Sequence, residues 1–182
     1  MYVSPQGFRI FLDVQFAVDK AFYLESFERD TLKFFSRIVK PGMVVFDVGA
    51  NIGIYSLLTA RKTKDKALVY AFEPADVPHR QLERNVSVNG FTGIRIWKTG
   101  MGETIGEAVM HVCADDAYNS VGTTPMNRII RDETIAMTSI DDFCRKEGIG
   151  KIDILKIDTE GAEYMVLKGG RKMLSSDRKP VI

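Results

Sequence analysis

The sequence predicts an α/β fold built around a doubly wound, mostly parallel sheet. Two observations carry that expectation. Four short apolar runs, Met43–Val48, Ala67–Phe72, Ile94–Lys98 and Ile152–Ile157, have the length and continuity of strands buried on both faces. Helical segments alternate with them, which is the rhythm of a parallel sheet. With 182 residues, 45% of them apolar and 27% charged, the chain can bury one core of ordinary domain size without staples.

Taken in order, Phe8, Ile10, Leu12, Val14, Phe16 and Val18 alternate with period two, which reads as one or two strands, as in a hairpin. From Leu24 to Val39 the period changes. Leu24, Phe27, Thr31, Phe34, Phe35 and Ile38 share one helical face, and Pro41-Gly42 stops that helix. Residues 1–40 therefore read as strands and a helix packed on the core, and residues 41–182 as the main domain.

The first core strand, Met43–Val48, runs through a Gly49–Gly53 turn into a helix over Ile54–Arg61. The second, Ala67–Phe72, ends at Glu73-Pro74. A helix over Pro78–Asn89 follows, stopped by Gly90 as a left-handed cap, and then the third strand. Glu107–Val112 alternates like an exposed strand, Cys113–Arg131 has no period and reads as a long loop, and Thr134–Met137 fits a short strand. Thr138 or Ser139 caps a helix through Lys146, with Asp141 and Asp142 in its favourable first turn. The fourth core strand precedes Asp158-Thr159-Glu160-Gly161 and a helix over Ala162–Leu174, loosened at Gly169-Gly170. Pro180-Val181-Ile182 opens a fifth.

Composition excludes several classes. Lys+Arg 25 against Asp+Glu 24 leaves +1, so no strongly basic surface for nucleic acid is expected. Two cysteines, Cys113 and Cys144, make neither a disulfide framework nor a four-cysteine zinc site. No apolar run reaches 18 residues and the N-terminus lacks a secretory pattern, so the expectation is a cytoplasmic chain with no membrane span.

Ligands of such sheets sit beyond the carboxyl ends of the strands. The first turn supplies Gly49 and Gly53 for close backbone approach, but Asn51 stands where a dinucleotide fingerprint needs its second glycine. Asp47, two residues before Gly49, would repel a pyrophosphate and suits a cation. S-adenosylmethionine carries an ammonium and a sulfonium. Glu73, 26 residues after Asp47, is placed to bond a ribose diol.

These segments resemble the FkbM-type family of S-adenosylmethionine-dependent methyltransferases over Val39–Ile182. The marks are Val39-Lys40-Pro41-Gly42, Phe46–Gly53, Phe72-Glu73-Pro74, Ser139–Phe143 and, most specific, Leu155–Glu163, which looks like that family's K-I-D-x-E-G-x-E signature. The resemblance implies a class I methyltransferase (Rossmann-like) fold and methyl transfer, typically to a hydroxyl. It puts Asp47, Gly49, Asn51 and Gly53 around the methionine part, Glu73 on the ribose, and Met101 or Gly102 near the adenine. Thr99–Glu103 departs from the family's usual alanine-leucine-serine form. The family's sheet has seven strands, so a chain ending two residues into its fifth apolar run implies a domain lacking its last strands. An open sheet edge of that kind offers a route to a homodimer.

An alcohol acceptor must lose a proton, so a carboxylate over the methyl position is a candidate base. Asp158 is the first candidate and Glu160 the second. The competing reading makes one a cap for the next helix and the other a lining residue. Asp158, Glu160 and Glu163 could ligate a divalent ion on chemistry alone, but such a trio is more often a solvated rim, and no metal is expected. His79 and His111 read as ordinary histidines, with His79 at the surface, and Trp97 as core. Tyr118 and Asn119 are candidate acceptor contacts.

The expected function is therefore methylation of a hydroxyl on a small molecule, sugar or glycan. A catalytically inactive cofactor-binding or interaction module is the alternative. A nucleobase methyltransferase is disfavoured, because its turn after the fourth strand carries prolines and an aromatic. A nicotinamide oxidoreductase is disfavoured by Asp47 and Asn51.

Overall fold

The computed structural model describes residues 1–114, 119–121, 128–175 and 179–182. The chain opens with β1 (Tyr2–Val3), β2 (Arg9–Ile10), α1 (Ala17–Tyr23) and α2 (Arg29–Ile38). The central part runs β3 (Val44–Val48), α3 (Ile54–Thr63), β4 (Leu68–Phe72), α4 (Asp76–Asn89) and β5 (Ile94–Trp97). Then come β6 (Gly100–Met101), β7 (Gly106–Cys113), β8 (Ser120–Val121) and β9 (Ile129–Thr138). The chain closes with α5 (Ile140–Glu147), β10 (Ile154–Ile157), α6 (Glu163–Gly169) and α7 (Arg171–Leu174).

The four apolar runs form one parallel sheet in the order β10-β3-β4-β5. Winding goes outward from β3 to β5, then returns to β10 on the other flank of β3. That reversal makes the gap between the β3 and β10 ends the switch point, where the expected cleft opens. Val181 adds a single parallel bridge to Ile154 on the outer side of β10, with Leu155 N–H donating to the Val181 carbonyl at 2.8 Å.

Alternation along the strands splits the core into two layers. Val45, Val69, Ala71 and Ile154 face α3 and α4, with Leu57, Leu58, Leu82 and the N-terminal Phe8, Ile10 and Phe35. Phe46, Val48, Tyr70, Phe72 and Leu155 face Ile140, Phe143 and Val166 of α5 and α6. Phe143 stands edge-on to Phe46, Tyr70, Phe72 and Trp97, with centroids 4.8–5.8 Å away. Trp97 is thus part of the core. The expected double winding is present, with one helical layer on each face.

Several expectations need correction. The period of two does not persist to Val18. β1 and β2 form a two-residue hairpin, and a helix, α1, begins at Ala17, burying Phe22. Val18 and Phe22 are also four apart, and the helical spacing prevails because Phe22 packs on Phe8. The second helix starts at Arg29, not Leu24, because Glu25 and Glu28 adopt left-handed conformations that break any helix through them. The helix expected over Ala162–Leu174 is split in two at Gly170.

Further corrections concern the middle of the chain. The strand expected over Thr134–Met137 extends from Ile129 to Thr138 and pairs antiparallel with β7 along nearly its full length. β6-β9-β7-β8 is a second sheet. It consumes part of what read as a loop, because its exposed Arg131 and Asp132 look like loop composition. Tyr118 lies outside the described residues. His79 is buried, not at the surface, and its Nδ1 lies 3.1 Å from the Glu73 carbonyl oxygen.

Candidate functional site

A cavity of about 220 Å³ opens over the carboxyl ends of β3, β4 and β10. Its floor is the turn from Gly49 to Ile52, where Gly49, Asn51 and Gly53 have φ of +71°, +48° and +92°. Gly49 admits no side chain. A Cβ there would stand 1.8 Å from the Asp158 carbonyl oxygen, so the two strand ends meet in backbone contact. Gly53 does not line the cavity. A Cβ there would stand 2.4 Å from Leu82 of α4, so this glycine sets helix-to-turn packing.

Glu73 lies at the tip of β4 and lines the cavity. Its Oε2 accepts from Asn51 N–H at 2.8 Å, and its Oε1 from Ala75 N–H at 3.0 Å. Met101 lines the adjoining wall, whereas Gly102 packs under α6, where its carbonyl oxygen would meet a Cβ on Gly169 at 2.0 Å. Met110, Val121, Ile135 and Met137 of the second sheet close this side with apolar surface, and Asn119 reaches the same wall.

Asp47 occupies a different place from the one expected. Its side chain is 1% exposed and does not line the cavity. Oδ2 accepts from Ser56 N–H at 3.1 Å and from Ser56 Oγ at 2.7 Å, and Oδ1 lies 3.3 Å from Lys156 Nζ. The sheet register dictates this, since Lys156 stands directly opposite Asp47. Lys156 also donates to the Gly49 carbonyl at 2.7 Å and lies 3.7 Å from Asp158. One partly buried ammonium thus ties together both strand ends.

Asp158 and Glu160 both line the cavity. The Asp158 side chain is 50% exposed. Burial, and then the charges of Asp158 and Glu163, push the Glu160 carboxyl upward, towards its neutral form. Glu163 organises the turn, accepting from Thr159 N–H at 2.9 Å, Thr159 Oγ at 3.0 Å and Gly161 N–H at 3.1 Å. Burial opposes its ionisation, but these bonds outweigh burial and lower its pKa. Among the described residues, no group of three or more His, Cys, Asp or Glu is arranged to hold a metal.

Residues 47–182 match the family model described as the methyltransferase FkbM domain. The chain belongs to the FkbM methyltransferase family. Among relatives of this FkbM domain, the chain is 31% identical over 159 residues to the 31-O-demethyl-FK506 methyltransferase FkbM of Streptomyces tacrolimicus, covering 72% of this chain and 60% of that one. It is 28% identical over 154 residues to methyltransferase sdnD of Sordaria araneosa, covering 69% and 59% respectively. A crystal structure of methyltransferase FkbM from Methylobacillus flagellatus KT superposes with a TM-score of 0.54 at 23% identity, over 77% of this chain and 32% of that one. That likeness agrees with the class I methyltransferase fold. The chain spans about three fifths of the length of these two curated relatives.

Sequence reasoning passed over three cavity residues of this FkbM domain. Lys156 stood inside the quoted signature, and its charge on a buried strand was the available signal. Tyr55 looked like one more apolar helix residue. Glu28, on the N-terminal segment, carried no signal, because what brings it to the site is tertiary packing.

Proposed function

We propose that this FkbM domain binds S-adenosylmethionine and transfers its methyl group to a hydroxyl of a small-molecule or carbohydrate acceptor. The observation that carries this reading is the charge and placement of the cavity lining. Among the described residues, Glu28, Glu73, Asp158 and Glu160 line the cavity, against one cation, Lys156, already paired with Asp47 and Asp158. A cationic nucleoside fits that lining and a pyrophosphate does not. When bound, the cofactor would supply an electrophilic methyl on its sulfonium.

Glu73, at the tip of β4 in the cavity lining, would hold the ribose diol. The turn through Gly49, Ala50 and Asn51 would lie beneath the methionine part, and Met101 and the apolar wall beside the adenine. Asp158, at the exposed mouth, would accept the proton that the acceptor hydroxyl gives up. Glu160 is the second candidate, since a carboxyl raised towards neutrality is a better matched base. The names of two relatives, the 31-O-demethyl-FK506 methyltransferase and the 2-O-methyltransferase NoeI of Sinorhizobium fredii, support oxygen as the acceptor atom.

The test is incubation with methyl-labelled S-adenosylmethionine and a panel of hydroxylated acceptors, including sugars and macrolide alcohols. Labelled methyl ether with matching S-adenosylhomocysteine is the expected result. Label recovered on nitrogen would move the acceptor class. Cofactor binding without transfer to any member would favour an inactive binding module.

A further inference from the structure

We propose that Glu28, held by Tyr55, is the carboxylate that binds the α-ammonium of the cofactor's methionine moiety. This rests on the cofactor reading above and goes beyond the motif residues, because Glu28 lies outside the stretch that matches the family model. The argument begins with a role left unfilled. Asp47, the acid expected to meet that ammonium, is sealed under the turn by Ser56 and Lys156 and does not reach the cavity.

Among the described residues, four acids line the cavity, and three have other settings. Glu73 accepts backbone amides at the tip of β4. Asp158 lies 3.7 Å from the Lys156 ammonium. Glu160 stands beside Asp158 and Glu163, and burial first, then those charges, disfavour its ionised form. Glu28 remains, in the cavity lining and bonded to Tyr55 of α3, the helix that follows the turn proposed to lie beneath the methionine part.

The backbone at Glu28 supports a function for the side chain. Its φ of 36° and ψ of 44° are left-handed, a conformation that costs a non-glycine residue on the order of 1–2 kcal/mol. It precedes the first turn of α2, yet makes no side-chain capping bond. Its Oε2 instead accepts the Tyr55 hydroxyl proton across the cavity wall. Tyr55 is fixed in turn by edge-on packing against Phe35, with centroids 4.9 Å apart. Burial first, and then the Glu28 carboxylate, hold the phenol protonated, so it acts as donor and Glu28 as acceptor. The carboxylate is aimed by one donor, with acceptor capacity left for an ammonium.

The experiment is calorimetric titration of the full chain with S-adenosylhomocysteine and with 5′-methylthioadenosine, which keeps the nucleoside and thioether but lacks the amino acid. Glu28→Gln should weaken S-adenosylhomocysteine by about 10- to 100-fold, the range of a charge-assisted hydrogen bond, and leave methylthioadenosine within about twofold. Glu28→Gly guards against a folding artefact. Glycine prefers positive φ, so this variant should melt no lower than wild type while showing the same selective loss. Tyr55→Phe should give a smaller selective loss, because the carboxylate stays but its orienting donor goes. Equal weakening of both ligands, or unchanged affinity for S-adenosylhomocysteine in both Glu28 variants, would overturn the assignment. Failure of wild type to bind either ligand would instead remove the cofactor reading itself.

Discussion

At the scale of single residues, the two acids that mark the strand ends behave differently. Glu73 touches the cavity, so Glu73→Ala should fold and lose about one to two decades of affinity for S-adenosylhomocysteine, measured by calorimetry. Asp47 is buried and binds Ser56 and Lys156. Asp47→Ala takes the acceptor from the buried Ser56 amide and hydroxyl and one partner from Lys156, and should cost about 1–3 kcal/mol in urea unfolding, a structural loss more than a binding one. An Asp47→Ala protein as stable as wild type would show that the pair contributes nothing. Both acids were legible in the sequence as residues of consequence. Whether each faces ligand or core was not, because that depends on which residue of β10 lands beside Asp47. The register gives Lys156 that place. Glu28 and Tyr55 were illegible for the same reason, since 27 residues of chain separate partners that meet only once α2 packs on α3.

At the scale of elements, strong local chemistry was legible and weak local chemistry was not. Ser139 was one of two expected caps, and it accepts from Asp142 N–H at 3.1 Å while its hydroxyl donates to Asp142 Oδ2 at 2.8 Å. Gly148, at φ 67°, ends the same helix. Ser139→Ala should cost about 1 kcal/mol at neutral pH by denaturant titration. The Ser139 hydroxyl is the largest influence holding the Asp142 carboxyl below its ordinary value, with Arg145 and Lys172 adding to it against some desolvation. A folded pKa below the unfolded one contributes stability above the ordinary aspartate range and loses it as pH falls through the folded value. The gap between wild type and Ser139→Ala should therefore narrow in acid. A gap that widens below about pH 4, the ordinary aspartate value, would contradict the bond. By contrast, α1 hid behind an alternation that also fits helical spacing. The first half of β9 hid because Ile129 to Asp132 are all exposed and Arg131 and Asp132 are charged, which looks like loop composition.

At the scale of the whole molecule, the double winding was legible because buried parallel strands are apolar throughout and need no tertiary knowledge to recognise. The sequence pointed only to the turns after the four strands, and the order that puts the switch point between β3 and β10 comes from the structure. The walls of the site were not legible. One comes from the second sheet through Met110, Val121, Ile135 and Met137, and another from the N-terminal segment through Val18, Phe27 and Glu28. The N-terminal segment is anchored to α4 by reciprocal bonds. Arg9 N–H donates to Asn89 Oδ1 at 2.7 Å, and Phe11 N–H donates to Asn85 Oδ1 at 2.7 Å. Asn85 Nδ2 in turn donates to the Ile52 carbonyl of the turn at 3.0 Å. Asn85 is fully buried, so Asn85→Leu should strand those backbone groups, cost about 2 kcal/mol or more, and loosen the N-terminal wall, visible as faster amide exchange at Phe11. Unchanged exchange there would show that the wall is held by other contacts.

The central claim is that this acid-lined cleft takes a cationic nucleoside and not a dinucleotide. Parallel calorimetric titrations with S-adenosylmethionine and NAD test it most directly. The account predicts saturable one-to-one binding of S-adenosylmethionine and no measurable heat with NAD. Tight NAD binding with no response to S-adenosylmethionine would contradict it.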